Sequence, residues 1–206
     1  MNRPDLSRLS LLRSLSLALV IPLLAACAGD PPAPVAAQPI SFEARPVLRL
    51  DIANVTVDNR FTSSNRQPYI EHLHTESPAT IARSWALTRL VATGNRGKAT
   101  LVILDGTVVS ERLEKKGGLT GLFGDQLDTR LKARLKARLV VERPSPDGGS
   151  GSWSADVDAT AERTILESAS LNEREAAYAA LMQGLAAKFD AALTVEVERS
   201  MGPVLR

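Results

Sequence analysis

Cys27 is the residue whose type and position most clearly suggest chemistry, because it is the only cysteine in the 206-residue chain. A single thiol cannot form a disulfide within the chain, so it must serve another purpose. The thiol directly follows Leu24, Ala25 and Ala26. A thiol in this setting can be alkylated, and small side chains before it suit a peptidase that cuts just ahead of it. We therefore expect Cys27 to be modified rather than paired.

The segment before Cys27 has the composition of an export signal. Three arginines among the first 13 residues give a basic start, and an apolar run follows from Leu15 to Leu24. This run is shorter than the roughly 20 apolar residues that a membrane-spanning helix needs. A basic start, a short apolar core and small residues at the exit are typical of a secretory signal peptide. We expect residues 1–26 to be this signal peptide and to be removed.

The sequence Leu24-Ala25-Ala26-Cys27 resembles the lipobox of bacterial lipoproteins. The resemblance implies cleavage after Ala26 and attachment of a diacylglycerol and an N-linked acyl chain, such as palmitate, to Cys27. At about 0.8 kcal/mol for each buried methylene, two or more chains anchor a protein stably. In that family an Asp after the cysteine marks retention in the inner membrane. Ala28 stands there, so we expect the periplasmic face of the outer membrane, with the inner membrane as the alternative.

The rest of the chain divides into a spacer and one domain. Residues 27–40 contain the lipid-bearing cysteine and a linker rich in proline and alanine, which should be extended and semi-rigid. Residues 41–206 are long enough for a single domain with its own core. Loss of residues 1–26 leaves equal numbers of basic and acidic residues. The isoelectric point of the whole chain, near 8.9, therefore reflects the export segment, and we expect no nucleic-acid partner.

Apolar patterns and helix-start signals within residues 41–206 predict the element order β-α-β-β-β-α. The expected elements are a strand at Val47–Val57 with a bulge near Ala53, a helix from Pro78 to a stop at Gly94, a strand at Ala99–Leu113 with a bulge at Asp105-Gly106, strands at Arg130–Val141 and Trp153–Glu162, and a helix from Leu171 to about Met201. A hairpin turn at Asp105-Gly106 is the alternative to the bulge. We predict an α+β domain with a mainly antiparallel sheet and two helices packed on one face.

The residue patterns of the strands at Arg130–Val141 and Trp153–Glu162 predict the register in which the two strands pair. Placing Val141 opposite Trp153 sets large inward side chains against small ones. The same register brings opposite charges together in the pairs Arg138–Asp156, Lys136–Asp158 and Lys132–Glu162. A helix is the alternative over the first segment, because Leu131, Leu135 and Leu139 are four residues apart. Strict alternation of apolar and basic residues favours the strand.

Two groups of charged or ligating side chains are candidate sites. The basic residues that alternate over Arg130–Arg138 could bind lipid or lipopolysaccharide phosphates, although the neighbouring acidic strand cancels much of their field. His72 and His74 would point the same way on an extended segment, with Glu71 and Glu76 nearby. A metal site usually needs three or four convergent ligands, and the spacing supplies no third. We expect a solvated loop there and no metal.

A third candidate is the glycine-rich stretch Gly117–Gly124, which carries the apolar residues Leu119, Leu122 and Phe123. In one interpretation this stretch is a wide hairpin whose side chains pack into the core. In the other it is an exposed apolar tip that contacts a partner or a bilayer. Of the three groups, it is the best candidate for a partner contact.

The sequence carries no recognisable catalytic set. It has no nucleophile elbow and no phosphate-binding glycine loop before a helix. Acids such as Asp105 and Asp125 could pair as glycosidase carboxylates, but their spacing selects no pair. We therefore expect no catalytic residues and no cofactor beyond the lipid on Cys27.

The predicted element order, behind a lipid anchor, is similar to small periplasmic accessory lipoproteins of lipopolysaccharide assembly or ABC-type lipid transport. This resemblance covers most of the mature chain but no residue motif. It implies a non-enzymatic accessory or binding component of a cell-envelope complex, with an envelope protein complex as its partner. A cell-wall or glycan hydrolase is the alternative function.

Overall fold

The computed structural model describes residues 39–113, 127–145 and 147–206. The predicted signal peptide and Cys27 lie outside the described residues, and so does most of the spacer. The predicted contact residues Leu119, Leu122 and Phe123 and the acid Asp125 also lie outside them. The predictions for all these residues stay predictions.

The described residues contain two long strands, five shorter ones and two α-helices. Their bounds are β1 Leu48–Leu50, β2 Asn54–Asn59, α1 Pro78–Arg89, β3 Leu90–Ala92, β4 Lys98–Asp105, β5 Val108–Arg112, β6 Leu127–Pro144, β7 Ser150–Leu166 and α2 Leu171–Ser200. Short 3₁₀ helices cover Glu71–Leu73 and Gly202–Val204. This confirms the predicted α+β class.

The main sheet is built around β6, which is 18 residues long. β7 pairs with one edge of β6, and β4 and β5 follow each other along the opposite edge, all antiparallel to β6. β2 adds to β4 in parallel and completes a five-stranded sheet. β1 and β3 form a separate two-stranded parallel sheet. The main sheet is therefore mostly antiparallel, as predicted.

The β6–β7 hairpin has the register that the sequence predicts. Val141 lies opposite Trp153, and Leu135 lies opposite Ala159. The inward side chains of β6 from Leu131 to Val141 are at most 3% exposed, because the helices cover this face. Large residues of β6 facing alanines of β7 leave room for helix α2, whose Leu185, Phe189 and Leu193 belong to the same core.

Both helices begin where the sequence signals place them. Ser77 caps α1 through its hydroxyl, with Pro78 at the first helical position, and Ser170 and Glu173 form a capping box at the start of α2. α2 ends at Ser200, just before Met201, as expected. The two helices contact each other through the edge-on rings of Trp85 and Phe189, whose centroids are 5.7 Å apart.

The prediction of one bulged strand over Val47–Val57 is wrong. β1 ends at Leu50 and β2 begins at Asn54, in a different sheet. A tight turn separates them, in which the Ile52 amide donates to the Leu50 carbonyl at 2.8 Å. Leu50 and Ile52 are both fully buried. Because apolar residues are buried on both sides of the turn, the apolar pattern does not reveal the change of sheet.

The predicted end of the first helix is also wrong. α1 ends at Arg89, and Leu90–Ala92 become β3 instead of the last helical turn. β3 pairs in parallel with β1, with Leu48 opposite Leu90. Leucine and alanine favour helices, so the strand forms only because pairing with a distant segment outweighs local propensity.

At Asp105-Gly106 the strand is interrupted and then continues in the same direction, as the predicted bulge implies. The chain does not form a hairpin turn there. β4 pairs with Glu142 to Lys136 of β6, and β5 continues with Ala133 to Thr129 in the same direction. The register shifts at Asp105, and the Asp105 carboxylate accepts a hydrogen bond from the Thr107 amide at 3.1 Å. The two segments therefore act as one strand of the sheet.

Candidate functional site

The two histidines do not share a surface, contrary to the expectation for an extended segment. Glu71–Leu73 is a turn of 3₁₀ helix, which leaves His72 exposed and places His74 partly buried against α2. Glu71 points inward and accepts a hydrogen bond from the Val108 amide at 3.0 Å. Within the described ranges, no three potential metal-ligating side chains come together.

The basic stripe of β6 lies on the solvent face of the sheet, where acidic residues neutralise part of it. Arg138 and Asp156 form the predicted pair at 2.7 Å. The residues of the other two predicted pairs stand opposite each other in the register, but Asp158 and Lys132 form their ion pairs with other residues. Arg134 pairs with Asp158 at 2.6 Å, and Lys132 pairs with Glu111 at 2.9 Å.

The difference arises because long side chains reach diagonally across a sheet, whereas register fixes only direct opposition. The hydrogen bond from Arg134 lowers the pKa of Asp158, so this pair is ionised at neutral pH. Asp105 lies 3.7 Å from Arg134 in the same group of charges. This face is therefore a set of local ion pairs and not a continuous cationic surface.

A groove of about 300 Å³ lies where His74 meets α2. Its lining residues are Pro39, Ile40, His74, Thr75, Glu76, Glu175, Ala176, Tyr178, Ala179 and Met182. The floor is apolar, formed by the buried Tyr178 and Met182, and two carboxylates belong to the lining. The groove thus combines an apolar base with negative charge.

The His74 ring stacks on the ring of Tyr178, with centroids 3.5 Å apart and planes 12° from parallel. The Tyr178 hydroxyl donates to the backbone carbonyl of Glu76 at 2.9 Å, which fixes the phenol from its other end. His74 Nδ1 lies 3.6 Å from the carboxylate of Glu175. These contacts join the loop before α1 to the first turns of α2.

Burial sets the protonation of both rings. Burial lowers the pKa of His74, and the nearby Glu175 opposes this only in part, so the imidazole is neutral at pH 7. Burial raises the pKa of Tyr178, and the carboxylates of Glu71, Glu76 and Glu175 raise it further, so the phenol keeps its proton. The groove therefore offers a neutral imidazole beside two carboxylates.

Glu76 and Glu175 are the carboxylates that a hydrolase would need to use in this groove. One oxygen of Glu76 accepts a hydrogen bond from the Thr80 hydroxyl at 2.8 Å. The Glu175 side chain is 60% exposed. A glycosidase acid is usually held in a desolvated pocket, whereas the Glu175 side chain faces solvent.

Sequence reasoning did not identify Tyr178 and Glu175 as parts of a site. Tyr178 follows the apolar spacing of α2, which is typical of a core residue, and most of its ring lies in the core. Glu175 has the sequence pattern of an ordinary exposed helix residue. No local signal connects either residue with His74, because the contact depends on how the loop folds back on α2.

No protein-family model matches this chain, and no curated protein matches it. Among solved structures, it is similar to a minor lipoprotein from Acinetobacter baumannii, at 13% identity and a TM-score of 0.36, over 73% of this chain and 96% of that one. It is also similar to the rare lipoprotein B from Shewanella oneidensis, at 12% identity and a TM-score of 0.31, over 71% and 98%. Structural similarities this weak carry no argument about the function of this chain.

Proposed function

We propose that this chain is a lipoprotein of the bacterial cell envelope, anchored through Cys27, whose domain is a non-enzymatic accessory or binding component of an envelope complex for lipid or lipopolysaccharide transport or assembly. The observation that carries the proposal is the sequence Leu24-Ala25-Ala26-Cys27 behind a basic and apolar leader. Among the described residues, no helix is long and apolar enough to cross a membrane. In the proposal, the acyl chains hold the protein on the membrane.

The way the chain enters the domain supports a tethered arrangement. Ile40 packs against the core and Phe42 is only 4% exposed, so the spacer meets folded structure at this point. The Pro-rich spacer between Cys27 and Pro39 can extend over roughly 35 Å if it is fully stretched. The domain would then reach a partner that stands some distance from the bilayer surface.

Recovery of a partner complex tests the accessory role. The full chain, carrying a C-terminal tag, is cross-linked in cells and purified from detergent-solubilised membranes. We expect a discrete set of envelope proteins to be recovered with it, and to be depleted with Cys27→Ser. Recovery of the monomer alone, with both forms, would contradict the accessory role.

Membrane sorting is tested separately by substitution of Ala28. If the sorting rule of the lipoprotein family applies, Ala28→Asp should move the protein from outer-membrane to inner-membrane fractions in a density gradient. Ala28→Ser is the matched control and should stay in the outer membrane. Outer-membrane location of both variants would exclude this rule for the chain.

The hydrolase alternative has one structural observation in its favour, the presence of Glu76 and Glu175 on the same groove. It predicts that the purified chain releases fragments from peptidoglycan or glycans and that Glu175→Gln abolishes the release. The accessory proposal predicts no release by either form. Turnover that is lost in Glu175→Gln would favour the hydrolase and overturn the non-enzymatic role.

A further inference from the structure

A second cavity, of about 220 Å³, lies at the end of the sheet where β6 meets the last residues of the chain. It is lined by Asp51, Asn95, Arg96, Arg143, Pro144 and Arg206. These residues come from the β1–β2 turn, the β3–β4 turn, the end of β6 and the C-terminal residue. Three guanidinium groups and one side-chain carboxylate therefore line the cavity, and the guanidinium groups of Arg143 and Arg206 contact that carboxylate.

Asp51 holds two of these arginines in place. Its Oδ2 accepts a hydrogen bond from Arg206 at 2.6 Å and another from Arg143. The bond from Arg206, with the charges of both arginines, lowers the pKa of Asp51, so the carboxylate is ionised at neutral pH. The side chains of Asp51 and Arg143 are only 22% and 27% exposed. Both arginines nevertheless keep N–H groups that Asp51 does not use, because each guanidinium has five donors.

Arg96 is the third arginine, and in the part of the chain that the structure describes it has no acidic partner. Backbone hydrogen bonds on both sides fix the turn that contains Arg96. Gly94 donates its amide to the Ile52 carbonyl at 2.9 Å, and the Gly97 carbonyl accepts from Ala53 at 3.1 Å. Gly97 has φ +81°, and a Cβ there would lie 2.4 Å from the Glu142 carbonyl oxygen. The backbone beside Arg96 is thus fixed against the end of β6.

The basic side chains and hydrogen-bond donors of this cavity suit an anionic ligand with several acceptor oxygens. Guanidinium forks match the oxygens of phosphate, and a phosphomonoester carries about −1.5 to −2 charges near pH 7. We propose that the cavity lined by Arg96, Arg143 and Arg206 binds a phosphomonoester group, whether on a soluble molecule or on a lipid headgroup. The site is separate from the groove at His74 and does not depend on the lipid anchor.

The neighbouring surface has room for the rest of such a ligand. Another cavity, of about 500 Å³, adjoins the arginine-lined cavity and shares Arg143 and Pro144 with it. Its lining includes Ser150, Ser152 and Asn54, whose neutral polar groups suit hydroxyls of a glycerol or sugar. Its Lys98 and Glu142 are paired with each other at 3.2 Å, so they add little net field. The esterified part of the ligand would lie there.

The competing explanation is that the cluster only stabilises the fold, since the ion pairs of Asp51 connect Arg206 with Arg143 of β6. This structural role needs Arg143 and Arg206 but gives no role to Arg96. Arg96 therefore distinguishes the two explanations. Removal of its charge should weaken ligand binding and leave the fold intact, because its side chain forms no hydrogen bond or ion pair with the other residues that the structure describes.

The test is calorimetric titration of the full-length chain in detergent micelles and phosphate-free buffer. The probes are inorganic phosphate, dihexanoyl phosphatidate and, as a lipid without a phosphomonoester, dihexanoyl phosphatidylcholine. We expect saturable binding of phosphate or phosphatidate with a Kd below about 1 mM and none of phosphatidylcholine. Equal affinity for the first two supports a soluble ligand, and tighter binding of phosphatidate supports a lipid. Absence of binding by both would overturn the proposal.

Two variants of equal charge change make the test specific. Arg96→Gln should weaken binding about tenfold, as loss of a charge-assisted hydrogen bond does, with an unchanged urea-unfolding midpoint. Arg163→Gln is the matched control, because Arg163 is exposed and lies opposite Leu131, towards the other end of β6. It should bind like the unchanged protein. Equal weakening by both variants would show general charge attraction and overturn the assigned site.

Discussion

Among single residues, Asp190 is a buried acid that two helices share. Its Oδ1 accepts hydrogen bonds from Trp85 Nε1 and Arg89 Nε, both at 2.8 Å. Arg89 also donates through Nη2 to Thr194 at 2.8 Å, while its buried Nη1 has no partner among the described residues. Arg89 is 3% and Asp190 6% exposed. The pair fixes α1 against α2 with its charges removed from water.

Asp190→Ala should lower the free energy of unfolding by about 3–5 kcal/mol, because it leaves the Arg89 charge buried without the carboxylate that neutralises it. The double variant Arg89→Met with Asp190→Leu should lose much less, since no charge then remains inside. Urea unfolding followed by tryptophan fluorescence measures both. A loss below about 1 kcal/mol for Asp190→Ala would contradict the buried-pair account.

His74 should make stability depend on pH in a defined window. Its pKa is lower in the folded protein than its ordinary value of 6.5, so the unfolded chain binds the proton more readily. The stability contributed by the neutral ring is present above pH 6.5 and is lost as the pH falls through the folded pKa. The unfolding midpoint should therefore fall as the pH drops from 7 towards 5.

The variant His74→Phe keeps a ring for stacking on Tyr178 but cannot titrate. It should flatten the change in the unfolding midpoint between pH 7 and pH 5. His72→Phe is the control, because His72 is exposed, and it should keep the slope. If the unfolding midpoint fell equally between pH 7 and pH 5 in the unchanged protein and in His74→Phe, burial of His74 would be excluded as the cause of this pH dependence.

At the level of elements, the β6–β7 hairpin shows what sequence patterns predict well. Alternation fixes which residues of each strand face inward, and the match of large with small residues selects one register. The register then follows without knowledge of the rest of the fold. The ionic partners were harder to predict, because Arg134 can reach Asp158 diagonally as well as the residue opposite it.

The hairpin also separates burial from surface charge as sources of stability. Leu135→Ala should lower the free energy of unfolding by about 2–5 kcal/mol, because Leu135 is fully buried beneath the helices. Asp156→Asn, which removes the exposed pair with Arg138, should leave the urea midpoint almost unchanged. If the surface variant proved as destabilising as the core variant, ion pairs and not packing would hold this hairpin.

Short elements that depend on distant partners were not predictable. β3 is read from sequence as helix because Leu90 and Ala92 favour helices, and only β1 makes it a strand. β1 and β2 read as one strand because the turn between them is lined by buried residues. In each case the deciding interaction is a contact across the fold, which leaves no periodic signal in the local sequence.

At the scale of the whole molecule, the groove at His74 and the arginine-lined cavity are each assembled from parts of the chain that are far apart in sequence. His74 meets Tyr178 across the groove, and Asp51 meets Arg143 and Arg206 at the end of the sheet. Residue spacing predicts neither group, since each depends on the finished fold. The sequence predicts most of the main sheet, the starts of both helices and the anchor, whereas the proposed binding surfaces emerge only from the tertiary structure.

The proposed role depends on attachment of the protein to a membrane through Cys27. The most direct measurement is mass spectrometry of the N-terminal peptide from the protein isolated from its native membranes. We expect the peptide to begin at Cys27, with a diacylglyceryl group on sulfur and an acyl chain on the amino nitrogen. A free thiol at Cys27, or a peptide that still contains residues 1–26, would contradict the central claim.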